Sequence, residues 1–109
     1  MATPDRGDLV YISFNPQAGR EQAGRRPAIV LSPKEFNQIT GFASVCPITN
    51  TERGWGYEVK LPVGLAFEGV ILTDQVKNLD WRTRGIDIKG QAPQSVIDEC
   101  FAKIHTFLA

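Results

Sequence analysis

Three arginines and one glutamate share a glycine-bearing stretch, Gly19-Arg-Glu-Gln-Ala-Gly-Arg-Arg-Pro27. Arginine offers a planar fork of donors that matches phosphate oxygens. Arg20, Arg25 and Arg26, with Glu21 among them, therefore form a local cationic spot. On residue types alone the stretch reads equally as a solvated loop with a surface ion pair, worth little energetically. A second spot is Pro47-Ile-Thr-Asn-Thr51, where a strand end meets hydroxyl and amide groups. Turn chemistry, with Thr and Asn bonding their own backbone, accounts for it as well. The third is Thr73-Asp-Gln-Val-Lys-Asn78 with Trp81-Arg-Thr-Arg84. It gathers Lys77, Arg82 and Arg84, offset by Asp74 and Asp80, and such mixed charge commonly marks a wet face. Trp55 and Tyr57, in a Gly-Trp-Gly-Tyr run, are placed either to stack bases or to cap a small core. Trp81 reads as core, and His105 as a helix-end residue.

The elements that must hold these residues follow from periodicity. Asp8–Phe14 is rich in β-branched and aromatic residues and predicts a strand, broken by Asn15-Pro16. Pro16–Arg26 is a polar loop, longer than the roughly 4–6 residues of a typical connection. Pro27–Ser32 predicts a buried strand, and Pro33 opens a short helix that Gly41 ends. Further strands are expected at Phe42–Ile48, Glu58–Leu61, Gly69–Leu72 and Ile86–Gly90. The period then changes. Val96, Ile97, Cys100, Phe101, Ile104 and Leu108 recur at helical spacing after Pro93. Several short strands and one terminal helix predict an α+β, mainly β chain folded as a small closed or half-closed barrel.

At 109 residues and 42% hydrophobic content the chain suits a single domain, 1–109, with one core. Twelve Lys+Arg balance twelve Asp+Glu, so bulk attraction to nucleic acid or an anionic membrane is excluded. Any polyanion must be held by a local patch. No apolar run approaches the roughly 20 residues of a membrane span, and the start shows no signal-peptide pattern. Cys46 and Cys100 form neither a metal spacing nor a disulfide framework, and His105 is alone. No cofactor or metal is expected, and the cytoplasm is the expected compartment.

The blocks Gly7–Pro16, Glu21–Pro33, Cys46-Pro-Ile-Thr49, Gly69–Lys77 and Trp81-Arg-Thr-Arg-Gly85 occur in one order across nearly the whole chain. In that order and spacing the sequence closely resembles the MazF/PemK family of toxin endoribonucleases, the mRNA interferases. The resemblance implies an SH3-like β-barrel of the CcdB/PemK/MazF type with a C-terminal α-helix, usually dimeric. It implies metal-independent cleavage of single-stranded RNA at short motifs. It also implies an antitoxin, MazE-like, whose acidic flexible tail blocks the RNA groove. By motif position Arg26 matches the catalytic arginine, Thr49 the active-site threonine and Glu21 the glutamate of the Glu-Gln-Ala-Gly block. Arg20, Arg25, Thr51, Gln75, Lys77, Arg82 and Arg84 are the RNA-contact candidates. Two departures stand out. Arg25 occupies a place where some relatives carry histidine. Leu72 occupies a place where some carry a catalytic arginine, which weakens Asp74 as a catalytic candidate.

Metal-free scission uses the neighbouring 2′-hydroxyl as nucleophile and leaves a 2′,3′-cyclic phosphate and a 5′-hydroxyl. Arg26 suits charge stabilisation, Thr49 suits orientation of the phosphate, and Glu21 suits the role of base or of orienter of the arginine. A guanidinium stays protonated, so it is a poor base and a sound phosphate clamp. Two other readings remain on the sequence. One is a non-catalytic, CcdB-like toxin that binds DNA gyrase. The other is an RNA-binding module with a degraded site.

Overall fold

The computed structural model describes residues 2–15 and 24–108. Among the described residues, seven antiparallel strands and three helices follow in chain order: β1 (Asp8–Ser13), β2 (Arg25–Val30), α1 (Lys34–Thr40), β3 (Ala43–Thr49), β4 (Glu58–Lys60), β5 (Val70–Leu72), β6 (Lys77–Leu79), α2 (Trp81–Arg84), β7 (Ile86–Gln91) and α3 (Gln94–Ile104). A 3₁₀ turn, Thr73–Gln75, links β5 to β6. The strand order is β4-β5-β3-β2-β1-β7, and β6 also pairs with β3.

The central strands read as unbroken apolar runs because both faces of the sheet are covered. Side chains alternate across a strand. Leu9, Ile29, Cys46 and Ile48 therefore join Val96, Ile97, Cys100 and Ile104 of α3 in one core. Val10, Ile12, Ala28, Val30 and Val45 join Leu79, Trp81 and Ile86 in a second core on the other face. Trp81 is buried, as its expected core role requires. α1 ends at Gly41, whose positive φ of 74° lets its N–H reach the Asn37 carbonyl. Buried Asn37 ties α1 to the rest: its side-chain amide N–H groups donate to the carbonyls of Pro4 and Ser32, and its backbone carbonyl accepts from the Trp81 indole.

The expected barrel is corrected here: the sheet does not close. β4 and β7 stand at the two ends of the strand path with no ladder between them. β4 and β5 have three residues each, too few to carry the sheet round to β7. β3 instead divides one edge, pairing with β6 through Ala43–Val45 and with β5 through Ile48–Thr49. α3 covers the first core in place of further strand pairing, and its Lys103 donates to the β4 carbonyl of Glu58 at 2.6 Å. The mixed β and α composition and the C-terminal helix stand. Among the described residues no helix is long and apolar enough to cross a membrane.

Candidate active site

β2 and β3 are antiparallel neighbours, with Ala28 opposite Pro47. The ladder ends at that pair; continued two residues further, the same register would set Arg26 across from Thr49. The two residues, 23 positions apart in sequence, lie at the same end of the sheet. Both line a cleft of about 360 Å³ together with Thr51, Arg53, Trp55, Glu58, Leu72, Asp74 and Gln75. Arg26 is exposed, and its guanidinium carbon lies 5.5 Å from the centre of the Phe14 ring, a cation–π contact that steadies a long side chain.

Gly69 fixes the cleft's other wall. Its φ is +109°, and a Cβ there would lie 2.1 Å from the Thr49 carbonyl oxygen. β5 can approach the end of β3 this closely only because glycine has no side chain. The approach leads into Leu72, Asp74 and Gln75 on the cleft's edge. Thr49 Oγ1 accepts from the Thr51 N–H at 3.2 Å, which turns the chain out of β3.

The cleft is completed by the segment from Thr51 to Tyr57, which lacks a strand ladder except where it enters β4. Its organiser is Glu58, which is only 8% exposed. The Glu58 carboxylate accepts from the Arg53 N–H at 3.2 and 3.3 Å and from the Trp55 N–H at 3.2 Å. Thr73 donates its hydroxyl to the Tyr57 carbonyl, closing the segment onto the 3₁₀ turn.

The remaining expected residues are distributed differently. Thr51 and Gln75 line the cleft. Arg25, one position from Arg26, points to the other face of β2. It pairs with Asp87 at 2.9 Å and donates to the Tyr11 carbonyl. Arg84 is buried, and its donors are held by Asp80 and by the carbonyls of Ser13 and Asn15. Arg82 lies over the Trp81 ring and donates to the Gln38 carbonyl on α1. Lys77 is exposed on β6, two residues beyond Gln75. Arg20 and Glu21 lie outside the described residues.

Both thiols are buried and protonated. Burial, then the nearby Cys100 and Asp74, push the Cys46 thiol far above its ordinary range. Burial, and after it Glu99, pushes Cys100 up to about 12 against the opposing pull of Lys103. Cys46 of the Cys-Pro-Ile-Thr block is therefore no nucleophile.

The sequence profile of the family described as PemK-like, MazF-like toxin of type II toxin-antitoxin system matches residues 5–108. The chain belongs to this family. Over 105 residues, 96% of this chain and 94% of the relative, it is 43% identical to the endoribonuclease toxin MazF of Escherichia coli strain K12. It is 33% identical to the Escherichia coli endoribonuclease PemK, covering 95% of this chain and 81% of that protein. The crystal structure of MazF (Form-I) from Deinococcus radiodurans superposes with a TM-score of 0.89 at 44% identity, covering 99% of this chain and 98% of that one.

Within this toxin family frame, Arg53 and Glu58 are the cleft residues that sequence reading passed over. Arg53 lies between the expected strands Phe42–Ile48 and Glu58–Leu61, where no periodicity marks it. Glu58 opens a strand whose alternation suggested half-exposure. The available signal was an acidic residue just after a Gly-Trp-Gly run, where backbone N–H groups need an acceptor.

Proposed function

We propose that this endoribonuclease toxin cleaves single-stranded RNA in the cleft that Arg26 and Thr49 share, by attack of the ribose 2′-hydroxyl on the adjacent phosphodiester. The bond from O2′ to phosphorus forms as the bond to O5′ breaks. The departing O5′ takes a proton from solvent water, so the products are a 2′,3′-cyclic phosphate and a 5′-hydroxyl. Arg26 neutralises the charge that builds on the non-bridging oxygens, and Thr49 donates its hydroxyl to one of them. Glu21 takes the 2′-hydroxyl proton or orients Arg26. Thr51 and Gln75 hold neighbouring sugar or base groups, and Lys77 meets the next phosphate as the strand leaves past Gln75.

The observation that carries this reading is the juxtaposition of Arg26 and Thr49 along one cleft. Further support comes from the endoribonuclease names of the Escherichia coli relatives. We further propose an antitoxin partner and a homodimeric working form. The partner is supported by the crystal structure of MazE-MazF (Form-II) from Deinococcus radiodurans, which superposes with a TM-score of 0.88 at 38% identity. Cleavage of synthetic single-stranded RNA in excess chelator, with end-group analysis, tests the chemistry. The expected ends are cyclic phosphate and 5′-hydroxyl. Intact RNA, or ends of another kind, overturns the mechanism.

A further inference from the structure

Trp55 is unusual among the cleft residues. It is a large apolar side chain, 54% exposed, on a segment with glycine on either side. An exposed tryptophan that only sheltered a core would be covered by its neighbours. Around Gly54 and Gly56, by contrast, even an added Cβ would meet nothing within 4 Å. The indole is nevertheless held from below. Its ring centre lies 6.2 Å from that of Tyr57, at a tilt of 49°. Tyr57 is in turn packed edge-on against Phe107, just beyond α3, at 5.6 Å. From the other side Glu58 fixes the Trp55 backbone through its N–H at 3.2 Å, and the Glu58 N–H donates back to the Trp55 carbonyl at 3.0 Å. A short unladdered loop is thus pinned at the one residue whose side chain reaches the cleft as a flat apolar surface.

Resting on the RNA-cleaving reading above, we propose that Trp55 is a nucleobase platform beside the scissile phosphate, and that Glu58 is the positioning residue that holds it there. The platform lies in the same cleft as Arg26 and Thr49. At about 360 Å³, that cleft is at the small end of ligand pockets, which span roughly 300–1,000 Å³, and it suits a single nucleotide rather than a run of bases. Stacking on an indole accepts any base by its π-face. This subsite therefore supplies affinity and register, and leaves base identity to groups such as Gln75 and Arg53.

The experiment uses the full chain and an RNA oligonucleotide spanning a mapped cleavage position, with a 2′-deoxy sugar at the attacking nucleotide to block scission. Affinity is read by anisotropy and by tryptophan emission. Only two tryptophans are present and Trp81 is buried, so Trp55 supplies the responsive signal. Trp55→Ala is expected to weaken binding by roughly five- to a hundredfold, and Trp55→Phe to restore most of it. In the wild type, an abasic site at one position next to the scissile phosphate is expected to cost as much as Trp55→Ala, with no further loss when the two are combined. Glu58→Gln is expected to raise KM with little change in kcat, to shift the emission of the free protein, and to add little in a Trp55→Ala background. Wild-type affinity in Trp55→Ala, or abasic losses that add to it at every position, overturns the platform. A fall in kcat at constant KM for Glu58→Gln overturns the positioning role. A wild-type protein that neither binds nor cleaves RNA overturns the underlying reading as well.

Discussion

Arg25 and Arg26 are adjacent in sequence and serve opposite faces of β2. Alternation sends Arg26 to the cleft with Thr49, and Arg25 to Asp87 and the Tyr11 carbonyl. Arg26→Ala is expected to lower kcat by roughly 10²–10³-fold, the usual cost of losing one donor aimed at a developing charge. Its thermal unfolding is expected to stay close to wild type, because the side chain is exposed. Single-turnover cleavage together with a melting curve checks both parts. Arg25→Ala removes the Asp87 pair and the bond to the Tyr11 carbonyl, both away from the cleft, so it is expected to change cleavage little and to cost about 1–2 kcal/mol of stability. Arg84 behaves as a third kind of arginine. Its guanidinium satisfies the carbonyls of Ser13 and Asn15 where β1 ends. Arg84→Ala takes those donors away and strips Asp80 of its pair, and it is expected to cost at least about 2 kcal/mol in denaturant unfolding. Motif position distinguished Arg26 from its neighbours; residue type did not. Only the register of β2 on β3 separates a clamp from a strut, and register is a long-range property that the local sequence does not carry.

At the scale of elements, the strands were legible where they are apolar and the last helix where its period is 3.6. β2 begins two residues earlier than the apolar run suggested, because Arg25 and Arg26 pair with Ser13 and Ile12 of β1. The four-residue α2 and the three-residue β6 were not legible as elements, being too short for any period to register. The open sheet was illegible for a related reason: closure depends on how far β4 and β5 reach, and composition does not encode that. One glycine nevertheless controls the cleft. Gly69→Ala is expected to force β5 away from Thr49, since its Cβ would lie 2.1 Å from backbone oxygen at a φ that L side chains avoid. The expected result is a loss of both stability and cleavage, in contrast to Arg26→Ala, and denaturant unfolding beside a kinetic assay separates the two. The contact of β3 with α3 carries its own pH signature through Cys46 and Cys100, which share a core. Both thiols are raised above their ordinary value of 9.0 on folding. The unfolded chain therefore releases protons first as pH rises, and stability is full below about pH 9 and falls above it. Urea midpoints between pH 8 and pH 11 are expected to decline, and to decline less steeply in Cys100→Ala once its lower starting stability is subtracted.

For the whole molecule, the balance of twelve cationic against twelve anionic side chains means that no net field draws RNA to the surface. Attraction must come from the few cations that the fold sets along one path. Among the described residues, Arg26 and Arg53 line the cleft, and Lys77 is exposed just past Gln75. Arg84 is held by Asp80 and two carbonyls, and Arg25 and Arg82 each commit one guanidinium nitrogen to other parts of the protein. Each phosphate neutralised on a single strand contributes about −0.7 to the slope of log affinity against log salt. Three contacts give a slope near −2, far shallower than a basic nucleic-acid-binding surface would show. Anisotropy titrations of a non-cleavable RNA across salt concentrations measure it. Arg53→Ala and Lys77→Ala are each expected to flatten the slope by about 0.7, whereas Arg82→Ala is expected to leave it unchanged. Equal flattening by Arg82→Ala would mean that the strand runs over α1 instead of past β6, and the proposed exit from the cleft would have to be redrawn.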